Sequence, residues 1–213
     1  HNGRRRQRQM CIRDRVFNNP VSIKEFNEKV FAIHFAKYIP ETLISSKIDK
    51  IKSFIKDKKE IVVKPLDGMG GKSIYKMDKI QESEIETLLK MTNNESTQII
   101  TQEFIEDIYE GDFRILIIHG KPFKKTLARI PQGDSFKGNL AAGGKGVVKD
   151  ISDFQFEMAS EIGDFLIQKD INFAGIDVIG NFLTEINVTS PTCARQILDQ
   201  SGENPIQEYF EKL

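Results

Sequence analysis

A glycine-rich loop between two short hydrophobic runs is the first feature of this sequence that could do chemistry. The stretch from Lys64 to Ser73 has glycines at Gly68, Gly70 and Gly71. Glycines leave the backbone free to turn consecutive N–H groups toward an anion, and the lysine adds a positive charge. We therefore predict that this glycine-rich loop binds the phosphates of a nucleotide. The alternative is an ordinary glycine-rich hairpin.

The loop differs from the P-loop of nucleotide hydrolases. That motif needs a glycine five residues before Gly71, where this chain has Leu66, and its last residues open a helix. Residues 74–77 instead alternate apolar and polar side chains, and residues 60–63 form a β-branched run. Both patterns indicate strands, so we expect the loop to join two strands and to fold over a nucleotide.

Carboxylate and amide side chains near the C-terminus could hold a metal ion. Glu185 and Asn187 lie two residues apart on a predicted strand, so both project from one face. Asp177 on the partner strand could join them. Two carboxylates and an amide oxygen are hard ligands of the kind that Mg²⁺ or Mn²⁺ takes together with phosphates. The alternative is that these acids form the solvated face of a strand.

Shared metal binding by the two carboxylates fixes the register of this hairpin. Residues directly opposite each other in an antiparallel pair project from the same face. A two-residue turn at Gly180 and Asn181 would pair Asp177 with Thr184 and separate the carboxylates. We therefore predict a three-residue loop, residues 180–182, that sets Asp177 opposite Glu185.

Arginine is scarce in the body of the chain. Beyond residue 15 only Arg114, Arg129 and Arg195 occur, among many lysines. A guanidinium offers a flat bidentate fork that an ammonium cannot provide. Arg114 and Arg129, on neighbouring predicted strands, are candidates to hold a carboxylate or a phosphoryl group; chance usage is the alternative.

Composition indicates a globular protein of one large or two small domains. The 213 residues are 39% hydrophobic, and 31 basic residues balance 31 acidic ones, which argues against a nucleic-acid partner. No apolar run approaches the ~20 residues of a membrane span. Two cysteines form no disulfide framework, which suits a reducing cytoplasm. Residues 1–15 hold six of the nine arginines, and we predict a non-native or disordered leader without function.

Hydrophobic periodicity predicts the elements that position these groups. The first lobe, residues 16–105, contains a helix that a capping box at Ser22 opens and Pro40 ends. Lys29 lies off the buried stripe of this helix, which is formed by Ile23, Phe26, Val30 and Ile33. The helix is followed by a strand at 42–44, a helix from 46, the hairpin around the glycine-rich loop, a helix at 82–91 and a strand at 98–105. The second lobe, residues 106–213, contains strands at 113–118 and 123–130, a helix capped by Ser152, strands at 173–179 and 182–188, and helices near 192–200 and 205–213. Residues 131–146, with five glycines, are predicted to be a lid.

Four motifs together resemble the bacterial glutathione synthetases of the ATP-grasp superfamily, from about Asn18 to the C-terminus. They are Lys64-Pro-Leu-Asp-Gly-Met-Gly-Gly, Leu127-Ala-Arg-Ile-Pro-Gln-Gly, Gly138-Asn-Leu-Ala-Ala-Gly-Gly and Thr184-Glu-Ile-Asn-Val-Thr-Ser-Pro-Thr-Cys193. The resemblance implies an α+β ATP-grasp fold in which two lobes with antiparallel sheets grip a nucleotide. It also implies Mg²⁺ (or Mn²⁺) and ATP-dependent ligation of γ-glutamylcysteine to glycine through an acyl phosphate. The family's N-terminal domain has no counterpart here, so we expect a fragment.

The resemblance assigns roles residue by residue. It implies ATP contacts at Lys29, Lys64, Gly68, Gly70, Gly71, Gln102, Glu103, Phe104, Ile105 and Asp112. The first two reach phosphate, and the backbone of residues 102–105 pairs with adenine. Arg114 and Arg129 are implied as catalytic and substrate-binding arginines, with Asn187, Thr189 and Ser190 on the substrate side. Asp177, Glu185 and Asn187 are implied metal ligands. Lys145 departs from the family pattern, which has arginine there.

The chemistry implied needs no protein nucleophile, because the substrate carboxylate itself attacks the γ-phosphate. An acyl phosphate hydrolyses readily, which gives residues 131–146 a purpose as a closing lid. The partners implied are small molecules in the cytoplasm, with no nucleic acid or membrane, and a full-length member is expected to form a homo-oligomer. Two alternatives stay open: another ATP-grasp peptide-type ligase, or a nucleotide-binding fragment without turnover.

Overall fold

Two antiparallel sheets organise the chain in a computed structural model, which describes residues 16–68 and 70–213. The leader predicted for residues 1–15 lies outside the described residues. The elements are α1 (Pro20–Glu25), β1 (Thr42–Ser45), α2 (Ile48–Lys56), β2 (Ile61–Pro65), β3 (Tyr75–Met77), α3 (Glu82–Met91), β4 (Ile99–Glu103), β5 (Asp112–Ile118), β6 (Lys121–Pro122), β7 (Lys125–Ile130), β8 (Lys145–Asp150), α4 (Asp153–Ile167), β9 (Phe173–Ile179), β10 (Phe182–Asn187), α5 (Ala194–Ser201) and α6 (Pro205–Glu211). Single-turn helices of the tighter 3₁₀ type occur at Phe31–Phe35, Glu106–Tyr109 and Leu140–Ala142.

The small sheet has four strands in the order β1-β4-β2-β3. Successive side chains of a strand point to opposite faces. Ile61 and Val63 of β2 therefore bury against the core formed with α2 and α3, where Ile51 and Leu88 are fully buried. Val62 and Lys64 lie on the opposite face, so the alternation of β2 presents Lys64 away from the helices.

The large sheet has six strands in the order β10-β9-β5-β7-β8, with β6 paired to β5. One face packs on α4, where Met158 and Ile162 meet Ile115 of β5 and Ile176 of β9. On the other face, Leu116 and Ile118 pack with Ile197 of α5. The charged residues of β5 and β9 lie on this second face, because Arg114 and Leu116, two positions apart, point the same way.

The N-terminal segment packs on the large sheet, although the sequence grouped it with the first lobe. Ala32 and Phe35 belong to the core that contains Ile115 and Ile176. The amides of Leu183 and Ile186 in β10 donate to the carbonyls of Tyr38 and Glu28 at 2.8 and 2.9 Å. These bonds cover the free edge of β10, and an uncovered edge would otherwise invite pairing with another chain.

The predicted start and length of the first helix are wrong. Asn19 is the N-cap, and its side chain accepts from the amide of Val21, while Ser22 lies inside the helix. Proline follows the cap because the missing N–H costs nothing at that position. The helix ends at Glu25, so Lys29 stands in a turn rather than on a helix. Ile33, predicted to be buried, is 40% exposed.

The long loop is shorter than predicted because a strand was missed. Residues 145–150 form β8, which pairs with β7, so the loop ends at 144. Gln200 of α5 pairs with β8 through its side-chain amide, since Val148 N donates to its Oε1 at 2.9 Å and its Nε2 donates to Gly146 O at 3.2 Å. We call residues 131–144 the lid loop from here on.

The final hairpin reaches the predicted register by a different route. Ile179 pairs with Phe182, so the turn contains two residues and not three. A β-bulge between Leu183 and Glu185 then adds one residue to β10, and Glu185 comes to lie opposite Asp177. A bulge changes which face the following residues occupy, as an odd loop would. The prediction that Asp177 lies opposite Glu185 is confirmed, and the three-residue loop is wrong.

None of the helices formed by residues 16–68 and 70–213 has the length and apolar content needed to cross a membrane.

Candidate active site

A cleft of about 760 Å³ lies between the glycine-rich loop and the charged face of the large sheet. Every residue predicted as a site residue lines it. They are Lys29, Lys64, Gly68, Gly70, Gly71, Gln102, Glu103, Phe104, Ile105, Asp112, Arg114, Arg129, Asp177, Glu185, Asn187, Thr189 and Ser190. Residues separated by up to 161 positions in the sequence thus share one cavity, and their individual roles stay predictions.

Two arginines and two aspartates form a buried ion network on β5, β7 and β9. Arg114 donates from Nε to Asp177 Oδ1 and from Nη2 to Asp177 Oδ2, the latter at 2.8 Å. Arg129 Nη2 lies 2.9 Å from Asp177 Oδ2 and 2.6 Å from Asp112 Oδ2. The strand register produces these contacts, since Arg114 is paired with Asp177 and Arg129 with Asp112.

The network separates the pKa values of its two acids. Burial would raise the pKa of Asp177, but the charges and hydrogen bonds of Arg114 and Arg129 outweigh it and hold that pKa well below its usual range. Burial raises the pKa of Asp112, which Arg129 only partly offsets, and the nearby charge of Asp177 raises it further. Asp177 is therefore an anion firmly held by two guanidinium groups.

Lys29 joins three parts of the protein. Its Nζ donates to Gly68 O in the glycine-rich loop and to Glu28 Oε1, both at 2.7 Å, and lies 3.5 Å from Glu185 Oε1 of β10. Burial lowers the pKa of Lys29, but the carboxylates of Glu185 and Glu28 outweigh burial, so the pKa is raised. Asn27 also connects the N-terminal segment to the glycine-rich loop, because its side-chain amide donates to Leu66 O at 2.9 Å.

Lys64 has a neutral partner instead of a close acid. Its Nζ donates to Gln102 Oε1 at 2.9 Å, and Gln102 donates in turn to Thr42 Oγ1 at 3.0 Å. Burial lowers the pKa of Lys64; the more distant Glu185 offsets this only in part, and Lys29 lowers it further. An anion in the cleft would restore the charge balance of Lys64.

The three predicted metal ligands are not equally suited to bind a hard cation. Glu185 and Asn187 both line the cleft, and their carboxylate and amide oxygens are the kind of ligand that a hard cation takes. Both oxygens of Asp177 are already engaged by arginines. The described residues contain no metal-holding group of three or more His, Cys, Asp or Glu side chains, although the predicted set has only two acids and an amide. Glu185 and Asn187 therefore fit such an ion; Asp177 fits once an arginine releases it.

The lid loop closes one side of the cleft. A Cβ at Gly71 would lie 2.8 Å from Asn139 Oδ1, and one at Gly138 would lie 2.4 Å from Arg129 O. The approach to backbone requires glycine at Gly138 in the lid loop, and the positive φ of +77° favours glycine at Gly71 in the glycine-rich loop. Sequence reasoning predicted the lid without naming its contacts, and it missed cleft residues that adjoin its motifs: Asn27, Glu28, Phe136, Lys137, Asn139, Thr192, Cys193 and Gln196.

The family model for the prokaryotic glutathione synthetase ATP-grasp domain matches residues 28–202. The chain belongs to this glutathione synthetase family. The matched range contains every predicted site residue, from Lys29 to Ser190.

Curated relatives agree with the assignment to the glutathione synthetase family. The chain is 46% identical to the glutathione synthetase of Buchnera aphidicola over 188 residues, 88% of this chain and 58% of the relative. It is 43% identical to that of Pseudomonas aeruginosa over 191 residues, 90% and 60% respectively, and 41% identical to that of Xylella fastidiosa over 198 residues, 93% and 63%. The chain thus spans about three-fifths of the length of these glutathione synthetases.

Solved structures support the ATP-grasp fold. The ATP-grasp ligase PsnB complexed with a phosphomimetic precursor, Mg and ADP matches with a TM-score of 0.66 at 15% identity, covering 92% of this chain and 60% of that one. The macrocyclase MdnC from Microcystis aeruginosa also gives a TM-score of 0.66, at 19% identity, covering 99% and 67%. The α+β ATP-grasp fold expected from the sequence is confirmed.

Proposed function

We propose that this chain carries the nucleotide and ligation site of an ATP-dependent carboxylate–amine ligase that joins γ-glutamylcysteine to glycine. The observation that carries the proposal is the convergence of every predicted site residue on one cleft in a chain of the glutathione synthetase family. Its substrates are ATP and two small molecules. A different ATP-grasp ligase would share the cleft but would use another acceptor.

The reaction has two displacement steps. The cysteinyl carboxylate of γ-glutamylcysteine attacks the γ-phosphorus of ATP, ADP leaves, and an acyl phosphate forms. The amine of glycine then attacks the acyl carbon, inorganic phosphate leaves, and the nitrogen loses a proton as the amide forms. Phosphoryl transfer of this kind needs positioning and charge neutralisation more than covalent help from the protein.

The residues of the cleft can supply both the positioning and the charge neutralisation. Lys29 and Lys64 place two ammonium groups beside the glycine-rich loop, where phosphates would accept hydrogen bonds. Arg114 and Arg129 line the same cleft and are the guanidinium groups that could orient a substrate carboxylate. Both are paired with aspartates, so a carboxylate would have to exchange for part of those contacts.

Glu185 and Asn187, with Asp177 after release from an arginine, are the residues that would hold Mg²⁺. That ion would supply neutralisation of phosphate charge. The lid loop would exclude water from the acyl phosphate, which otherwise hydrolyses.

The test is a turnover assay on the purified chain with ATP and Mg²⁺. We expect ADP formation beyond one equivalent of the protein to require both γ-glutamylcysteine and glycine, and glutathione to appear in an amount equal to that ADP. ADP formation with another amine acceptor but not with glycine would favour a different ATP-grasp ligase. Absence of ATP binding would contradict the proposal altogether.

A second candidate function is nucleotide binding without turnover. It is favoured by one observation, that the chain spans only 58–63% of the curated relatives cited above. ATP binding measured by calorimetry, with no ADP formed when both acceptor substrates are present, would support it.

A further inference from the structure

Aromatic side chains surround Phe104 at the edge of the proposed nucleotide site. Phe104 belongs to the segment 102–105 predicted to contact adenine; it is half-buried and lines the cleft. Among the described residues, ring contacts to Phe104 come from three side chains. Lys76 Nζ lies 3.8 Å from the ring centroid, and the rings of Tyr109 and Phe136 lie edge-on at centroid distances of 6.3 and 6.1 Å.

The three neighbours of Phe104 differ in whether they line the cleft. Lys76 is on β3 and is paired with Glu60 at 2.9 Å, and Tyr109 is 52% exposed; neither lines the cleft. Phe136 does line the cleft, and it is the member of the cluster that belongs to the lid loop. Its ring is inclined at 79° to that of Phe104, so the two rings form adjoining walls of the cavity.

The lid loop therefore has two separate points of contact across the cleft. Asn139 approaches Gly71 in the glycine-rich loop, where phosphates are predicted to bind. Phe136 approaches Phe104, where the base is predicted to bind. Contacts to phosphate depend on charge, whereas two aromatic walls recognise a flat apolar surface such as a nucleobase.

We propose that Phe136 is a specificity residue that contacts the nucleobase of ATP and makes closure of the lid loop depend on the base as well as on the phosphates. This rests on the proposed function, since it assumes a nucleotide in the cleft. Loss of one aromatic contact of this kind corresponds to an affinity loss of about three- to tenfold. The loss should be confined to ligands that carry a base.

The experiment measures, by calorimetry with Mg²⁺ present, the affinities of the full chain for ATP and for inorganic tripolyphosphate. Phe136→Leu should weaken ATP binding about three- to tenfold and leave tripolyphosphate binding unchanged. Phe136→Tyr should restore ATP binding. Tyr109→Leu is the matched control, because it removes an aromatic contact to the same Phe104 ring from a position that does not line the cleft, and it should change neither affinity. Thermal melts verify that each variant is folded.

Two outcomes would overturn the inference and leave the proposed function intact. One is unchanged ATP affinity in Phe136→Leu. The other is an equal loss for ATP and for tripolyphosphate, which would mean that Phe136 holds the lid loop over the phosphates only. If the unsubstituted chain binds no ATP, the proposed function fails first and the inference falls with it.

Discussion

The two walls of the cleft balance their positive charges in opposite ways. On the large sheet, Arg114 and Arg129 are buried against Asp112 and Asp177, so each guanidinium has a carboxylate partner. On the small sheet, the hydrogen-bond partner of Lys64 among the described residues is the neutral Gln102, and burial lowers the pKa of Lys64.

This difference separates groups that hold the fold from a group that is available to a ligand. Removing one member of a buried ion pair leaves the other unpaired in a poorly solvated place, which is strongly destabilising. Lys64 is half-buried and its hydrogen-bond partner among the described residues is neutral, so the lost hydration of its charge disfavours the folded state and removing it should not harm folding. We therefore expect substitutions on the large sheet to affect stability and substitutions on the small sheet to affect binding.

The largest expected effect is on the large sheet. Asp177→Ala leaves Arg114 and Arg129 without their shared carboxylate and should lower the free energy of unfolding by about 3–5 kcal/mol. Urea denaturation of the purified protein measures it. The control is Asp199→Ala, which removes the exposed pair with Arg195 on α5 and should change the free energy by less than about 0.5 kcal/mol.

A loss in Asp177→Ala no larger than that in Asp199→Ala would show that the network is not structural, and the contrast between the two walls would disappear.

The second effect is on binding. Lys64→Met removes the available ammonium and should weaken ATP binding by about ten- to a hundredfold, the range for a hydrogen bond to a charged group. Its free energy of unfolding should stay equal or rise. Calorimetry and urea denaturation on the same preparation give both values.

Lys79→Met is the matched control for Lys64→Met. Lys79 lies in the same lobe, is exposed, and does not line the cleft, so neither affinity nor stability should change. If Lys64→Met were destabilised while ATP affinity stayed the same, Lys64 would be a structural residue like the arginines opposite.

The ion pairs between the two arginines and the two aspartates could not be predicted from the sequence. Residue type and spacing identified Arg114, Arg129 and Asp177 as unusual, and all three line the cleft. The sequence assigned them to ligands, whereas the structure pairs them with one another. The reason is that pairing depends on the register between β5, β7 and β9, which is set by contacts distant along the chain.

The sequence predicted an element correctly where the signal lay entirely within that element. Helix α4 begins after Ser152 with a complete capping box, as predicted. The predicted start of the first helix was wrong because Ser22 also fits the pattern of an N-cap, whereas the structure uses Asn19, which is followed by proline. The bulge in β10 could not be predicted, because its sequence matches that of a regular strand, yet it determines that Glu185 faces Asp177.

A smaller effect is expected from the backbone of the glycine-rich loop, where it contacts the lid loop. Gly71 has φ +77° and lies against Asn139 of the lid loop, while Gly202 has φ +78° with nothing near its Cβ position. Alanine at either site should cost about 1–2 kcal/mol of backbone strain. Only Gly71→Ala should also push the lid loop away and speed its cleavage by a protease. Equal cleavage rates in the two variants would argue against the contact between the loops.

The smallest effect is the pH dependence that Lys64 gives to stability. Burial holds the pKa of Lys64 in the folded protein below its ordinary value of 10.5. Between those two pKa values the folded protein binds fewer protons than the unfolded chain, so the free energy of unfolding gains a contribution that rises with pH. Below the folded pKa the full penalty of burying the charge is present, and above pH 10.5 it is relieved. Lys64→Met lacks this titration, while the lysines and tyrosines remote from Lys64 titrate alike in both proteins and cancel in the difference. The difference in unfolding free energy, wild type minus Lys64→Met, should therefore rise with pH in urea titrations carried toward pH 10.5. A difference that falls with pH would mean that a close anion stabilises the Lys64 ammonium, and the two walls would then balance their charges in the same way.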